Sequence, residues 1–336
     1  MRLEDVCIKG TSNIRQKDVN ESGRYPVYGA AGPVGFMNSF QYDEPYVGVV
    51  KDGAGIGRAT YLPSNSSIIG TIQALIPKNN VLPKYLYYAV SSMHLEKYYS
   101  GATIPHIYFK NYKHERFVLV SKKEQEQIIW RFSLLEKMIS NKQQQLLKLN
   151  ELIKARFVEM FGDPVNNSKD QPVDKFINIV KLQRGFDLPV KKRDSTGKIP
   201  VFGSNGIVGY HTEAKAKNGI ITGRSGTIGK VYRKSGEYWP LNTSLFSVDT
   251  HGNNIIFLQV LMQLFHLERF YNGAGVPTLN RNDVHRQKII KISLDKQNEF
   301  ANFVQQVDKS KFENIVYLNK TLSRKILSQI GDVIRD

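Results

Sequence analysis

The chain has 336 residues, 41% of them hydrophobic, which is enough for two domains with a core each. Its 47 Lys and Arg against 30 Asp and Glu give a formal charge of +17. That favours a polyanionic partner, and nucleic acid ranks ahead of a membrane surface because the basic residues are scattered through Gly-rich and aromatic segments instead of lining one amphipathic helix. A single cysteine, Cys7, excludes an internal disulfide and fits the cytoplasm; Arg2-Leu3-Glu4-Asp5 and the absence of any apolar window of about 18 residues predict neither a signal peptide nor a membrane span.

In chain order, Pro26-Val27-Tyr28-Gly29 opens a segment that returns as Pro200-Val201-Phe202-Gly203. A strand at Tyr46–Val50 runs into the turn Gly53-Ala54-Gly55-Ile56-Gly57-Arg58, and a strand at Gly219–Thr222 leads to Gly226-Thr227-Ile228-Gly229-Lys230. Tyr85–Tyr99 and Ile255–Tyr271 read as helices. Ser100-Gly101-Ala102-Thr103-Ile104-Pro105 is answered 172 residues later by Asn272-Gly273-Ala274-Gly275-Val276-Pro277. Three matches in one order at a nearly constant offset identify a tandem duplication.

Between the copies, Glu124 to Phe161 carries apolar residues at Ile128, Phe132, Leu135, Ile139, Leu146, Leu149 and Ile153, in steps of three and four with Lys142 as a polar break. A helix of that length spans roughly 57 Å and needs a partner. Phe161-Gly162-Asp163-Pro164 stops it. Its copy runs through Phe300, Val304, Val307, Ile315, Leu318, Leu322, Ile326 and Ile330, interrupted at Lys311. The predicted fold is α+β: two tandem mixed α/β domains at 1–123 and 162–295, each followed by a long helix, 124–161 and 296–336. The two helices pair as an antiparallel coiled coil with pseudo-twofold symmetry, Lys142 and Lys311 setting its register.

Most catalytic chemistry is missing from the sequence. Five residues instead of four separate Gly223 from Gly229, and Val231 stands where a phosphate-binding loop needs Ser or Thr; Gly53 to Gly57 lacks the third glycine at the spacing of a dinucleotide fingerprint. The seven histidines form no pair at metal-ligand spacing, no hydrolytic triad order is present, and the Asn-Pro-Pro-aromatic motif of amino-methyltransferases is absent. No metal, cofactor or catalytic residue is assigned. The turns instead gather basic and amide side chains suited to DNA: Arg24, Tyr28, Lys51, Arg58, Lys110, Asn111 and Lys113 in the first half, and Lys191, Lys192, Arg193, Ser204, Asn205, Arg224, Ser225, Thr227, Lys230, Asn280, Arg281 and Asn282 in the second. Arg and Lys neutralise phosphates, while Arg on guanine and Asn on adenine read base edges. Some of these residues are plain solvated turn positions, and the aromatics Tyr98, Tyr99, Tyr108, Phe109 and Tyr112 serve either base stacking or core packing.

This architecture resembles the specificity subunits of type I restriction-modification systems. Each half has a Pro-Val-aromatic-Gly segment, a Gly-rich turn ending in Ile-Gly and a Gly-Ala-x-x-Pro segment before a long helix, the first opening at Lys123-Glu124-Gln125-Glu126-Gln127-Ile128. The resemblance covers essentially the whole chain. It implies a non-catalytic subunit that binds a bipartite duplex DNA target, one half per domain, and docks two modification subunits, which methylate adenine with S-adenosylmethionine, together with restriction subunits. The second helix departs from the pattern: Asp295-Lys296-Gln297-Asn298 lacks the Glu-Gln pair in its usual place. Competing readings are a specificity subunit of a related type II-like methyltransferase-nuclease, a chain with its own methyltransferase or nuclease activity, and a structural coiled-coil adaptor that binds no DNA.

Overall fold

The computed structural model describes residues 1–101, 105–194, 196–272, 275 and 277–321. The chain divides into two compact units, Met1–Lys142 with Val316–Asp336, and Gln143–Ile315. The first contains α1 (Leu3–Val6), β1 (Cys7–Gly10), β2 (Tyr25–Gly29), β3 (Gly32–Met37), β4 (Tyr46–Val50), β5 (Ala59–Leu62), β6 (Ser67–Ile68), β7 (Ile72–Pro77), α2 (Pro83–Ser91), α3 (Phe109–Tyr112) and the start of α4 (Lys122–Phe161). Its strands pair in the orders β1-β7-β4-β5 and β3-β2-β6. Every residue of β4 is buried because both faces of the strand are covered: Val47 and Val49 pack into the core shared with Tyr85 and Leu86 of α2, Tyr46 and Val50 into a second cluster with Tyr42 and Ile68.

The second unit contains the remainder of α4, then β8 (Val173–Lys175), α5 (Phe176–Ile179), β9 (Lys181–Arg184), β10 (Ile199–Gly203), β11 (Gly206–His211), β12 (Ala216–Gly223), β13 (Val231–Pro240), β14 (Ser244–Asp249), α6 (Ile255–Leu264), β15 (Tyr271–Asn272), β16 (Thr278–Leu279), α7 (Arg281–His285), β17 (Lys288–Ile290) and, as far as Ile315, α8 (Leu294–Thr321). One six-stranded sheet, β11-β10-β13-β12-β14-β9, repeats the strand sequence of the first unit. The difference is local. β13 runs unbroken where the first unit divides into β5 and β6, around Pro63, which has no N–H for a ladder, and Asn65 at φ 53°.

Each predicted mid-domain helix is shorter than the sequence suggests and breaks at the same place. α2 ends at Ser91, His94 adopts a left-handed φ of 52°, and a 3-10 turn covers Leu95–Tyr98; α6 ends at Leu264, His266 has φ 55°, and a 3-10 turn covers Leu267–Phe270. Apolar composition alone does not show a helix where its axis must turn.

α4 is continuous over 40 residues. Ser121 and Glu124 cap its start: the Glu124 carboxylate accepts from the Ser121 N–H and hydroxyl at 3.0 and 2.6 Å. The seam does not serve one purpose throughout. Ile128 and Phe132 are buried in the core of the first unit, Phe132 with its ring 4.8 Å from Tyr88, and Leu135 packs against the same core; Ile139 and Leu146 are half-buried. In the second unit, Phe157 and Phe161 of α4 meet Phe300 of α8 at 5.4 and 5.8 Å between ring centres, while Leu149 and Leu152 share a groove with Ser310 and Asn314. Numbers that fall along one helix rise along the other, so this pairing is antiparallel. Ile153, Val304 and Val307 are buried in it. Ile315 lies off the seam, 44% exposed, and half-buried Asn314 takes the position; Leu318 is half-buried. Leu322, Ile326 and Ile330 lie outside the described residues. No described helix is long and apolar enough to cross a membrane.

Candidate nucleic-acid interface

Two of the repeated segments are joined to each other in the same way in both units. The Gly53 N–H donates to the Pro105 carbonyl and the Gly226 N–H to that of Pro277, each at 3.0 Å; Ile107 N–H donates to Lys51 O at 2.9 Å and Leu279 N–H to Arg224 O at 2.8 Å. These bonds clamp the glycine turn onto the chain just after the Gly-Ala-x-x-Pro segment, of which Ala102, Thr103, Ile104, Gly273, Ala274 and Val276 lie outside the described residues. Gly57 and Gly229 are required where they stand: φ is 82° and 89°, and a Cβ would run into the Glu96 backbone or the Glu268 carboxylate. A third bond ties the turn to the neighbouring hairpin. Arg58 donates to the Ala30 carbonyl, and its equivalent Lys230 donates to Asn205 Oδ1 at 2.6 Å.

Each unit therefore assembles hairpin tip, glycine turn and short helix into one rim. In the second unit this unites Ser204, Asn205, Arg224, Ser225, Thr227, Lys230, Asn280, Arg281 and Asn282. Arg193 joins through a bond to the Val208 carbonyl of β11 at 3.3 Å, and Lys191 and Lys192 are exposed on the turn before it. Arg224 is half-buried and its guanidinium donates to the Asn242 carbonyl at 3.2 Å. It borders a cavity of about 380 Å³ with Arg184, Asn280 and Arg281. Asn280 also caps α7, accepting from the Asn282 N–H at 3.0 Å. In the first unit Tyr28, Lys51, Arg58, Lys110 and Asn111 lie on the equivalent segments, with Lys110 over the Tyr108 ring at 5.6 Å and exposed Arg24 over that of Tyr25 at 5.5 Å. Lys113 is committed elsewhere: its ammonium lies 2.8 Å from Glu4 and holds that carboxyl below its ordinary range. Among the aromatics, Tyr112 is fully buried whereas Tyr99 and Tyr108 are exposed.

The join between each domain and its long helix escaped the sequence reading. Gln125 and Gln297 occupy equivalent positions, 0% and 1% exposed. Gln125 accepts from the Leu82 N–H at 2.8 Å and donates to the Asn80 and Val120 carbonyls, both at 2.9 Å; Gln297 accepts from the Asn254 N–H at 2.9 Å and donates to Asn253 Oδ1 and the Ile292 carbonyl at 2.7 and 2.8 Å. The second helix thus keeps the glutamine of the Glu-Gln pair and replaces only the capping glutamate, by Lys296. Further along, Glu136 and Asp308 are again equivalent. Glu136 faces Lys84 of α2 at 3.4 Å, and Asp308 faces Arg233 of β13 at 2.5 Å and Lys311 at 3.2 Å. Lys311, only 18% exposed at its side chain, pairs with Asp308 one turn back on its own helix, while Lys142 lies over the Tyr317 ring at 5.4 Å. Among the described residues no cluster of His, Cys, Asp and Glu could hold a metal.

A duplicated domain with a cationic turn rim, each copy seated on a long helix, defines a class of tandem nucleic-acid recognition proteins. The family model for the type I restriction modification DNA specificity domain matches residues 1–151 and again 175–324, and the chain belongs to that family. Members act as non-catalytic DNA-recognition subunits, and the family places this chain as a DNA-binding part of a restriction-modification assembly. Two solved structures share the fold. The S subunit of a type I restriction-modification system from M. genitalium is similar with a TM-score of 0.61 at 17% identity, over 98% of this chain and 95% of that one. A chain from a structure described as the basis of complex assembly and conformational transition of the type I R-M system has a TM-score of 0.57 at 12% identity, over 98% and 96%. No curated protein matches the sequence.

Proposed function

We propose that this chain recognises a bipartite duplex DNA sequence, the domain at 1–123 reading one half and the domain at 162–295 the other. The helices at 124–161 and 296–336 hold two modification subunits, in which S-adenosylmethionine methylates adenine, and restriction subunits complete the assembly in the cytoplasm. The observation that carries this reading is the turn built twice with the same hydrogen bonds on a chain of charge +17: a duplicated reader addresses two sites, and its cations suit phosphates. Mapping methylated adenines in DNA modified by the complex tests it. Two short specified sequences at fixed spacing are the expected result; a single contiguous site would contradict one half per domain. Binding of duplex DNA by the chain should fall steeply as salt rises, and binding indifferent to salt would point to the adaptor reading.

A further inference from the structure

A residue shared by both copies of a duplicated reader cannot tell two different half-sites apart, so discrimination falls to the positions where the copies differ. Lys51 and Arg224 are shared in kind. Each is fixed by its N–H to a threonine carbonyl, Thr71 at 3.0 Å or Thr243 at 2.8 Å, and by the bond its own carbonyl accepts, and both are cations suited to phosphate. The next residue differs. Asp52 faces His106 across the bridge where the second unit has Ser225 facing Thr278. His106 Nδ1 lies 2.6 Å from Asp52 Oδ1, the geometry of an N–H donating to a carboxylate, and the second carboxylate oxygen has no partner among the described residues. Beyond the bridge, Tyr108 and Phe109 stand where the second unit places Asn280 and Arg281, and Arg281 shares its cavity with Arg184.

A carboxylate on a phosphate-facing rim opposes binding by charge unless it meets a donor. The hydrogen-bond donors that duplex DNA displays in its major groove are the exocyclic amino groups of cytosine and adenine, whereas guanine displays the two acceptors that an arginine fork fits. We infer that Asp52 is a base-reading residue of the first domain, oriented by His106 to accept from the amino group of cytosine or adenine, and that the second domain reads the opposite polarity, guanine, with Arg184 and Arg281. This rests on the proposed bipartite reading. The two half-sites then differ in chemistry by design of the turns, while Lys51 and Arg224 contribute affinity without sequence.

The test selects bound duplexes from a randomised DNA pool with the full chain and its variants. Asp52→Asn keeps an oxygen for His106 and puts an amide donor in place of the free acceptor. It is expected to move the preference at one base pair of the first half-site from an amino-bearing to an acceptor-bearing base edge, by roughly 5- to 150-fold, with the second half-site unchanged. Asp52→Ala should abolish the preference there, and Arg281→Ala should relax one position in the second half-site alone. Lys51→Ala should weaken binding to all sequences alike. Wild-type preference retained in both Asp52 variants, or a uniform loss matching that of Lys51→Ala, overturns the inference while leaving the bipartite reading intact. A wild-type chain that selects no two-part sequence overturns both.

Discussion

At the scale of single residues, the buried glutamines set the attachment of domain to helix. Gln125 is one of a run of glutamines on α4, and nothing in composition separates it from exposed Gln143 and Gln144; only the equivalence with Gln297 marks it, because a polar side chain kept at the same place in both copies has the same backbone groups to satisfy. Truncating it strands the Leu82 N–H and the Asn80 and Val120 carbonyls in the core. Gln125→Ala is expected to cost about 2–4 kcal/mol in urea unfolding, against under about 0.5 kcal/mol for Gln143→Ala. His285 gives the fold a pH dependence. Its Nε2 accepts from the Leu182 N–H at 3.0 Å, so the folded state uses the neutral ring, and burial, then Arg281 and Lys181, lower its pKa from 6.5. Between the lowered value and 6.5 the unfolded chain binds a proton that the folded chain refuses, so stability contributed by this group is present above 6.5 and is lost as pH falls below it. The melting temperature should drop between pH 7.5 and 5.5, and His285→Gln, which can still accept from Leu182, should shrink the drop. An equal drop in the variant would assign it to other groups.

At the scale of elements, the long helices were legible because a heptad repeat is periodic over tens of residues, whereas the exact seam was not. From Val307, steps of four and three lead to Lys311 and Asn314, but side-chain type favours Ile315, about 100° away around the helix. Phase won over hydrophobicity, since Phe300, Val304 and Val307 are already anchored in the core and the helix is rigid between them and Asn314. The aromatic cluster is the anchor: Phe157 is fully buried and its ring lies within 5.1 to 5.6 Å of those of Phe161, Phe257 and Phe300. Phe157→Ala should destabilise the second unit by about 3–5 kcal/mol, while Ile315→Ala should change unfolding by less than about 0.5 kcal/mol. Comparable losses in the two variants would put Ile315 back in the seam. The strand-turn segments were equally readable, because glycines that adopt positive φ recur at a nearly constant offset. The breaks at His94 and His266 were hidden, since a left-handed residue within an apolar run leaves no trace in periodicity.

At the scale of the whole chain, duplication made the architecture readable without any catalytic motif, and the core of the first unit extends into the helix that follows it. A cut after Lys123 follows the change from turn-rich to heptad sequence, yet Ile128 and Phe132 beyond it are 8% and 7% exposed and complete the first core. The first compact unit accordingly runs on to Lys142. Half-site exchange should respect that limit. Replacing Met1–Lys142 with the corresponding segment of a relative carries the recognition domain together with the helix residues its core was selected against, and is expected to change only one half of the methylated sequence. Replacing Met1–Lys123 alone leaves Ile128 and Phe132 facing a foreign surface, where mismatched packing costs typically about 1–3 kcal/mol; that chimera should recognise the same new half-site with a lower melting temperature. If the shorter exchange were as stable as the longer, the first turns of α4 would belong to the helix pair alone. If either exchange altered both halves of the target, one domain per half-site would be the assumption to abandon.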